Sequence, residues 1–152
     1  MTITYQKNDG QNVKRTINPV GIMFSEFYFY LTAFIDDSKK RAEFRVPDDV
    51  FPTIYRIDRI LRYKKEDKYF DIPYKNKFEE GEFRKRVQFM YGGKLRVIRF
   101  KYKGENPESV LDRLPTSKII SQDEEGYTIT AEVFGDGIDM WIRSQGDLIE
   151  IL

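Results

Sequence analysis

The chain contains neither cysteine nor histidine. Without these side chains it has no zinc or iron site of the Cys/His type, no thiol nucleophile and no Ser-His or Cys-His couple. Catalysis would have to rest on Asp, Glu, Lys or Tyr, and no paired-carboxylate or lysine motif stands out. We therefore expect no metal, no cofactor and no enzymatic activity.

An excess of one charge and a long apolar run are also missing. Lys and Arg number 26 against 25 Asp and Glu, so bulk charge does not predict nucleic-acid binding, and an anion site would have to be a local cluster. No apolar run approaches membrane-spanning length, and the N-terminus lacks the apolar core of a signal peptide. We expect a soluble cytoplasmic protein with no membrane partner.

The first half of the sequence is typical of β-structure. Apolar and polar residues alternate at residues 3–5 and 41–46, and residues 13–17 and 27–35 are also predicted to be strands. Pro19 and Gly21 indicate a break before a further short strand at 22–24. Several short strands with little helix predict a small, strongly bent sheet or barrel.

The longest of these segments has two different aromatic faces. Because successive side chains of a strand point to opposite sides, its odd-numbered residues form a wholly apolar face that we expect in the core. The even-numbered face carries hydroxyl groups beside its rings and is suited to line a pocket. The odd face comprises Phe27, Phe29, Leu31, Ala33 and Ile35, and the even face comprises Tyr28, Tyr30, Thr32 and Phe34.

Two arginines flank an aspartate at residues 56–60. Arg56 and Arg59 are suited to bidentate contact with phosphate or carboxylate oxygens. Alternatively they pair internally with Asp58, and both can hold if Asp58 orients one arginine while the other faces a ligand. Ile57 and Ile60 lie three residues apart, so a bulge or tight bend is expected here.

Arg15 shares a strand face with the apolar Val13 and Ile17. A buried charge without a partner is very costly, so we expect an anionic group to meet this arginine. A ligand and a protein carboxylate are both open alternatives.

The second half of the sequence differs from the first in the spacing of its apolar residues. Residues 76–90 indicate a helix with an apolar stripe of Phe78, Phe83, Val87 and Met90. From residue 95 onward the pattern predicts the order β-α-β-β-α-β of a ferredoxin-like domain. Its strands are expected at 95–102, 118–121, 127–134 and 148–152, and its helices begin at Asn106-Pro107 and at Asp136.

Together these segments resemble the WYL domain, a ligand-sensing module of bacterial transcription regulators, followed by its C-terminal extension, WCX. The family's Trp-Tyr-Leu motif corresponds to Phe29-Tyr30-Leu31, where phenylalanine keeps the aromatic face but loses the indole donor. Arg15 with Pro19 precedes the motif and the 56–60 segment follows it. In the extension, the similarity rests on the β-α-β-β-α-β order and on residues 141–146.

The resemblance implies an α+β protein in three parts. Residues 1–72 would form an Sm-like five-stranded β-barrel, 73–94 a linker helix, and 95–152 the ferredoxin-like extension. Family members usually carry an N-terminal winged helix-turn-helix that contacts double-stranded DNA. This sequence begins with the first strand, so it is expected to be a sensor fragment of a longer regulator. A homodimer is also implied.

Two functions are compatible with these observations. The first is a regulatory domain in which Arg15, Tyr30, Arg56, Asp58 and Arg59 form the site for a nucleotide, single-stranded nucleic acid or similar anion. The second is a dimerisation or structural module without a small ligand, in which the arginines are all paired internally.

Overall fold

The computed structural model describes residues 1–37, 52–71 and 78–152. The chain divides into two compact units, residues 1–78 and 79–152. Each unit holds an antiparallel sheet, and helices accompany the second one, so the α+β class is confirmed. The strand expected at 41–46 lies outside the described residues.

The first unit is a five-stranded antiparallel sheet in the order β4-β3-β2-β1-β5. A 3₁₀-helix at Ile57–Arg59 connects the fourth and fifth strands along the chain. The strands are β1 Thr2–Gln6, β2 Asn12–Ser25, β3 Tyr28–Ile35, β4 Thr53–Arg56 and β5 Ile60–Lys64.

Only part of the predicted core face of β3 is buried. Leu31, Ala33 and Ile35 are buried, the first two in one cluster with other apolar residues of this sheet, whereas Phe27 is 84% and Phe29 58% exposed. The prediction was wrong for the two phenylalanines. The β2–β3 hairpin extends beyond its neighbours, because β1 pairs only with residues 12–16 of β2 and β4 only with residues 30–33 of β3. The buried cluster consists of Ile3, Ile17, Leu31, Ala33 and Tyr55.

The predicted break at Pro19 and Gly21 is a β-bulge within one continuous strand. Pro19 pairs with Ala33 and Gly21 with the adjacent Thr32, so the register shifts between them without ending β2. The hydroxyl of Thr32 donates a hydrogen bond to the carbonyl of Gly21 at 3.0 Å. A bulge accommodates proline and glycine where a regular strand would be weakened.

The expected bend at residues 57–60 is confirmed. The backbone N–H of Ile60 donates to the carbonyl of Ile57 and closes a 3₁₀ turn. Because side chains three residues apart eclipse in this helix, both isoleucines pack against the core of the first unit.

The second unit contains a four-stranded antiparallel sheet in the order β7-β8-β6-β9. From residue 95, the predicted β-α-β-β-α-β order is found. Its elements are α1 Glu80–Arg86, β6 Leu95–Tyr102, α2 Glu108–Arg113, β7 Lys118–Asp123, β8 Gly126–Phe134, α3 Gly137–Ser144, a 3₁₀-helix Gly146–Leu148 and β9 Ile149–Ile151.

Helix α1 is shorter than the sequence predicts. It ends at Arg86, and Val87 continues in an extended conformation that forms a parallel bridge with Phe134 of β8. Phe89 and Met90 then have positive φ values of 50° and 55°, so the expected helix over 87–90 was wrong. The ring of Phe83 packs 5.4 Å from that of Phe134. The helix expected in a linker therefore lies in the second unit.

The core of the second unit lies between its sheet and helices α2 and α3. Phe100 of β6 and Trp141 of α3 meet edge to face with ring centroids 6.3 Å apart. No helix in the described part of the chain is long and apolar enough to cross a membrane. The core comprises Phe100, Tyr102, Val110, Leu114, Ile129, Ala131, Val133, Ile138, Trp141, Ile142 and Ile149.

Candidate arginine–tyrosine site

Strand pairing in the first unit brings two of the predicted site residues together. Tyr30 of β3 lies directly opposite Arg56 of β4, so both side chains project from the same face of the sheet. Tyr28, two residues before Tyr30, shares this face. The guanidinium carbon of Arg56 lies 3.6 Å from the centroid of the Tyr28 ring. The Tyr28 and Tyr30 rings meet edge to face at 6.5 Å.

Asp58 fixes Arg56 in this stacked position. The 3₁₀ turn returns its carboxylate toward Arg56, whose Nε donates to Oδ1 at 3.0 Å and Nη2 to Oδ2 at 2.5 Å. These bonds, with the attraction between the two opposite charges, hold the pKa of Asp58 below its ordinary value and raise the pKa of Arg56. The positive charge of Arg56 is therefore balanced within the protein.

Tyr5 of β1 contacts two successive residues of β4, Tyr55 and Arg56. Its hydroxyl accepts a hydrogen bond of 3.3 Å from the backbone N–H of Arg56, and its ring meets the buried ring of Tyr55 at 5.1 Å. The position of Arg56 is thus set at its backbone as well as at its side chain.

Arg59 differs from Arg56 in its surroundings. It is half-buried at the end of the 3₁₀-helix and makes no hydrogen bond or ion pair with any residue in the described ranges. Its charge contributes to the lowered pKa of Asp58, the preceding residue of the 3₁₀-helix. Among the described residues, its guanidinium donors therefore have no acceptor.

Tyr30 is partly buried between charges of both signs. Burial raises the pKa of its hydroxyl, the charge of Arg56 opposes that shift, and the charges of Glu26 and Asp58 add to it. Glu26 lies in the turn between β2 and β3. The charges that act on Tyr30 thus come from Arg56, Glu26 and Asp58.

Arg15 lies elsewhere in the first unit. It pairs with the buried Ile3 across β1 and β2, and its Nη1 donates to the carbonyl of Lys14 at 3.1 Å. Its charge acts on Tyr55, whose pKa burial raises to about 12. Since Tyr55 and Arg56 are successive strand residues, their side chains point to opposite faces. The structure therefore does not bring Arg15 together with the other four predicted residues.

We call Tyr28, Tyr30, Arg56, Asp58 and Arg59 the arginine–tyrosine cluster. Tyr28 was placed on the pocket-lining face by alternation, but its contact with Arg56 joins β3 to a residue that lies 28 positions away along the chain. Glu26 was missed, because its proximity depends on the hairpin. Among the described residues, no group of three or more acidic, His or Cys side chains is placed to hold a metal ion.

A comparison with protein-family models agrees with the sequence resemblance. The family model of the WYL domain matches residues 1–65. No curated protein matches the chain. Among solved structures, the chain is similar to proteasome accessory factor B/C (PafBC) of Arthrobacter aurescens, with 13% identity and a TM-score of 0.41. That similarity covers 99% of this chain and 22% of PafBC. Over residues 1–65 the chain is therefore similar to the WYL domain family.

Proposed function

We propose that the chain is the ligand-sensing part of a bacterial transcription regulator. In this proposal the first unit is an Sm-like barrel and residues 95–152 are a ferredoxin-like WCX extension. The arginine–tyrosine cluster binds a nucleotide, single-stranded nucleic acid or similar planar anion. The WYL match and the strand order of each sheet support the assignment.

One observation carries the proposed binding site: the two arginines of the cluster differ in whether a protein carboxylate pairs with them. Asp58 neutralises Arg56 and holds it against Tyr28, whereas Arg59 has no partner among the described residues. Arg56 then supplies a fixed planar surface and Arg59 supplies the charge. A guanidinium without a protein partner gains about 1.5–3 kcal/mol from a hydrogen bond to a charged oxygen.

The tyrosines supply the second part of recognition. Tyr28 and Tyr30 expose ring surface next to Arg56, and aromatic or guanidinium planes stack on nucleobases with little sequence preference. A ligand that carries a base and a phosphate would engage both parts of the cluster. Inorganic phosphate alone would engage only Arg59.

Regulation requires that ligand binding favours one of two arrangements of the regulator. A ligand shifts such an equilibrium only through a difference in affinity for the two states. We propose that the affected element is an attached helix-turn-helix domain, which makes the contacts with double-stranded DNA. We further propose that the regulator acts as a cytoplasmic homodimer.

The test is binding of a fluorescent single-stranded oligonucleotide and of a mononucleotide panel across a salt series. Arg59→Ala should weaken binding by roughly tenfold or more, because a charge-assisted bond is lost. Arg62→Ala is the matched control, since Arg62 is exposed on β5 and makes no ion pair in the described part of the chain. It should change affinity by about twofold at most near physiological salt, where exposed charges are screened.

The Arg56–Asp58 ion pair also favours the second candidate, a structural module without a small ligand. That function predicts no saturable binding at any salt concentration and a melting temperature that does not respond to nucleotides. Equal losses in Arg59→Ala and Arg62→Ala would likewise overturn the proposed site, because they would reflect bulk charge alone.

A further inference from the structure

Strand β7 forms an open edge of the second sheet. It pairs with β8 on one side, and no other strand of the described residues pairs with its second side. Its six residues are all exposed, including Ile119 at 43% and Ile120 at 54%. An exposed edge with unpaired backbone groups and apolar side chains is a template for another strand.

The charges of β7 are arranged with opposite signs at its two ends. Lys118 begins the strand and makes no ion pair with a described residue. Asp123 ends it, followed by Glu124, which is exposed and also has no partner in the described ranges. Asp123 already forms an ion pair with Lys101, with Nζ 3.0 Å from Oδ2. Glu124 therefore contributes the uncompensated negative charge at this end.

Such a strand is complementary to itself in the antiparallel direction. A two-fold axis between Ile120 and Ser121 places Lys118 opposite Asp123 of the partner subunit and beside Glu124 of the partner subunit. The same axis places Ile119 opposite Gln122 of the partner subunit and Ile120 opposite Ser121 of the partner subunit. This is the isologous geometry of a symmetric dimer, in which one patch serves both subunits.

We propose that β7 is the surface through which a second copy of this chain pairs edge to edge, joining the two second-unit sheets into one. The β-bulge between Ile119 and Ser121 increases the local twist and confines the pairing to a short segment. The proposal concerns the second unit alone and does not depend on ligand binding by the arginine–tyrosine cluster.

The absence of native cysteine allows a direct test in the full chain. Ser121→Cys places one thiol near the proposed axis, where antiparallel neighbours lie within the Cα separation that a disulfide requires. Ile151→Cys is the matched control, because Ile151 is exposed on β9 at the opposite edge of the same sheet. Under mild oxidation, Ser121→Cys should give a covalent dimer much faster than Ile151→Cys. Equal rates, or no dimer with Ser121→Cys, would overturn the proposal.

A charge exchange tests the register without cysteine. Lys118→Glu should weaken dimerisation by roughly tenfold in sedimentation velocity, because two attractive cross-strand pairs become repulsive. Lys118→Glu combined with Glu124→Lys should recover part of the lost dimerisation, because a lysine at position 124 offsets the repulsion at Asp123 of the partner subunit, and far-UV circular dichroism should be unchanged in both variants. A dimer that is unaffected by these changes, or a wild-type chain that stays monomeric at high concentration, would rule out β7 as the interface.

Discussion

The guanidinium of Arg56 stacks on the ring of Tyr28 at 3.6 Å and is held there by two hydrogen bonds to Asp58. This arrangement removes Arg56 as a free cation but makes it a fixed planar group. Asp58 consequently has two opposing effects on an anionic ligand. It orders the stacked arginine, and its own negative charge repels the ligand.

Asp58→Asn separates these two effects. We expect the variant to bind a fluorescent oligonucleotide roughly threefold to tenfold more tightly at low salt, because one negative charge beside Arg59 is removed. The asparagine oxygen still accepts a hydrogen bond from Arg56, so the stack is retained. Asp112→Asn on α2 removes the same charge from an exposed position without an ion pair in the described residues, and should leave affinity unchanged. Weaker binding by Asp58→Asn would mean that ordering of Arg56 outweighs the repulsion.

The Arg56–Asp58 pair also predicts a pH dependence of stability. The pKa of Asp58 is lowered from its ordinary value of 3.8 in the folded chain, chiefly by the hydrogen bond from Arg56. The stability that this pair contributes is therefore fully present above about pH 4 to 5 and is lost as the pH falls through the lowered pKa. Urea unfolding of wild type and Asp58→Asn should differ near neutral pH and converge in acid. A difference that is constant from neutral to strongly acidic pH would contradict this.

Local patterns in the sequence predicted much of the fold. Alternation identified β3 and β8, and the spacing of Ile57 and Ile60 identified the bend before β5. The order of elements after residue 95 also followed from turn and capping residues. Asn106 accepts a hydrogen bond from the backbone N–H of Glu108, although the helix begins one residue later than expected. These features depend on interactions between near neighbours.

The features that were not predicted depend on contacts between distant segments. Helix α1 ends early because Val87 pairs with Phe134, some 47 residues away along the chain. Phe29 is exposed because the neighbouring strands stop before the end of its hairpin. Arg15 faces the side of the sheet opposite to Arg56, and its place relative to β4 follows from strand order. Neither periodicity nor propensity carries this information.

The β2–β3 turn offers a test of backbone strain. Ser25 pairs with Tyr28, so the loop has two residues, and the first of them, Glu26, has a φ of 56°. Glycine adopts this conformation without the cost that a side chain carries, so Glu26→Gly should raise the free energy of unfolding by roughly 0.5–1 kcal/mol. Glu124→Gly in the β7–β8 turn is the control, because the φ of Glu124 is not positive. It should give no gain, and a lower melting temperature for Glu26→Gly would contradict the assignment of strain.

Two helical glycines of the second unit should respond in opposite directions to the same substitution. A Cβ at Gly137, the first residue of α3, would collide with the backbone carbonyl of Gln88. That oxygen accepts the hydrogen bond of 3.0 Å from Tyr91 that closes the turn at residues 88–91. Since this backbone has little room to move, Gly137→Ala should lower the free energy of unfolding by about 1–3 kcal/mol.

Gly81 in α1 has open space around the corresponding position. Gly81→Ala should therefore stabilise the protein by roughly 0.5–1 kcal/mol, because alanine lowers the entropy cost of forming the helix. Chemical unfolding of both variants under the same conditions measures the contrast directly. A similar effect of alanine at the two positions would show that α3 is not packed against the residue 88–91 turn as closely as the structure places it. The opposite signs follow only if that contact forms.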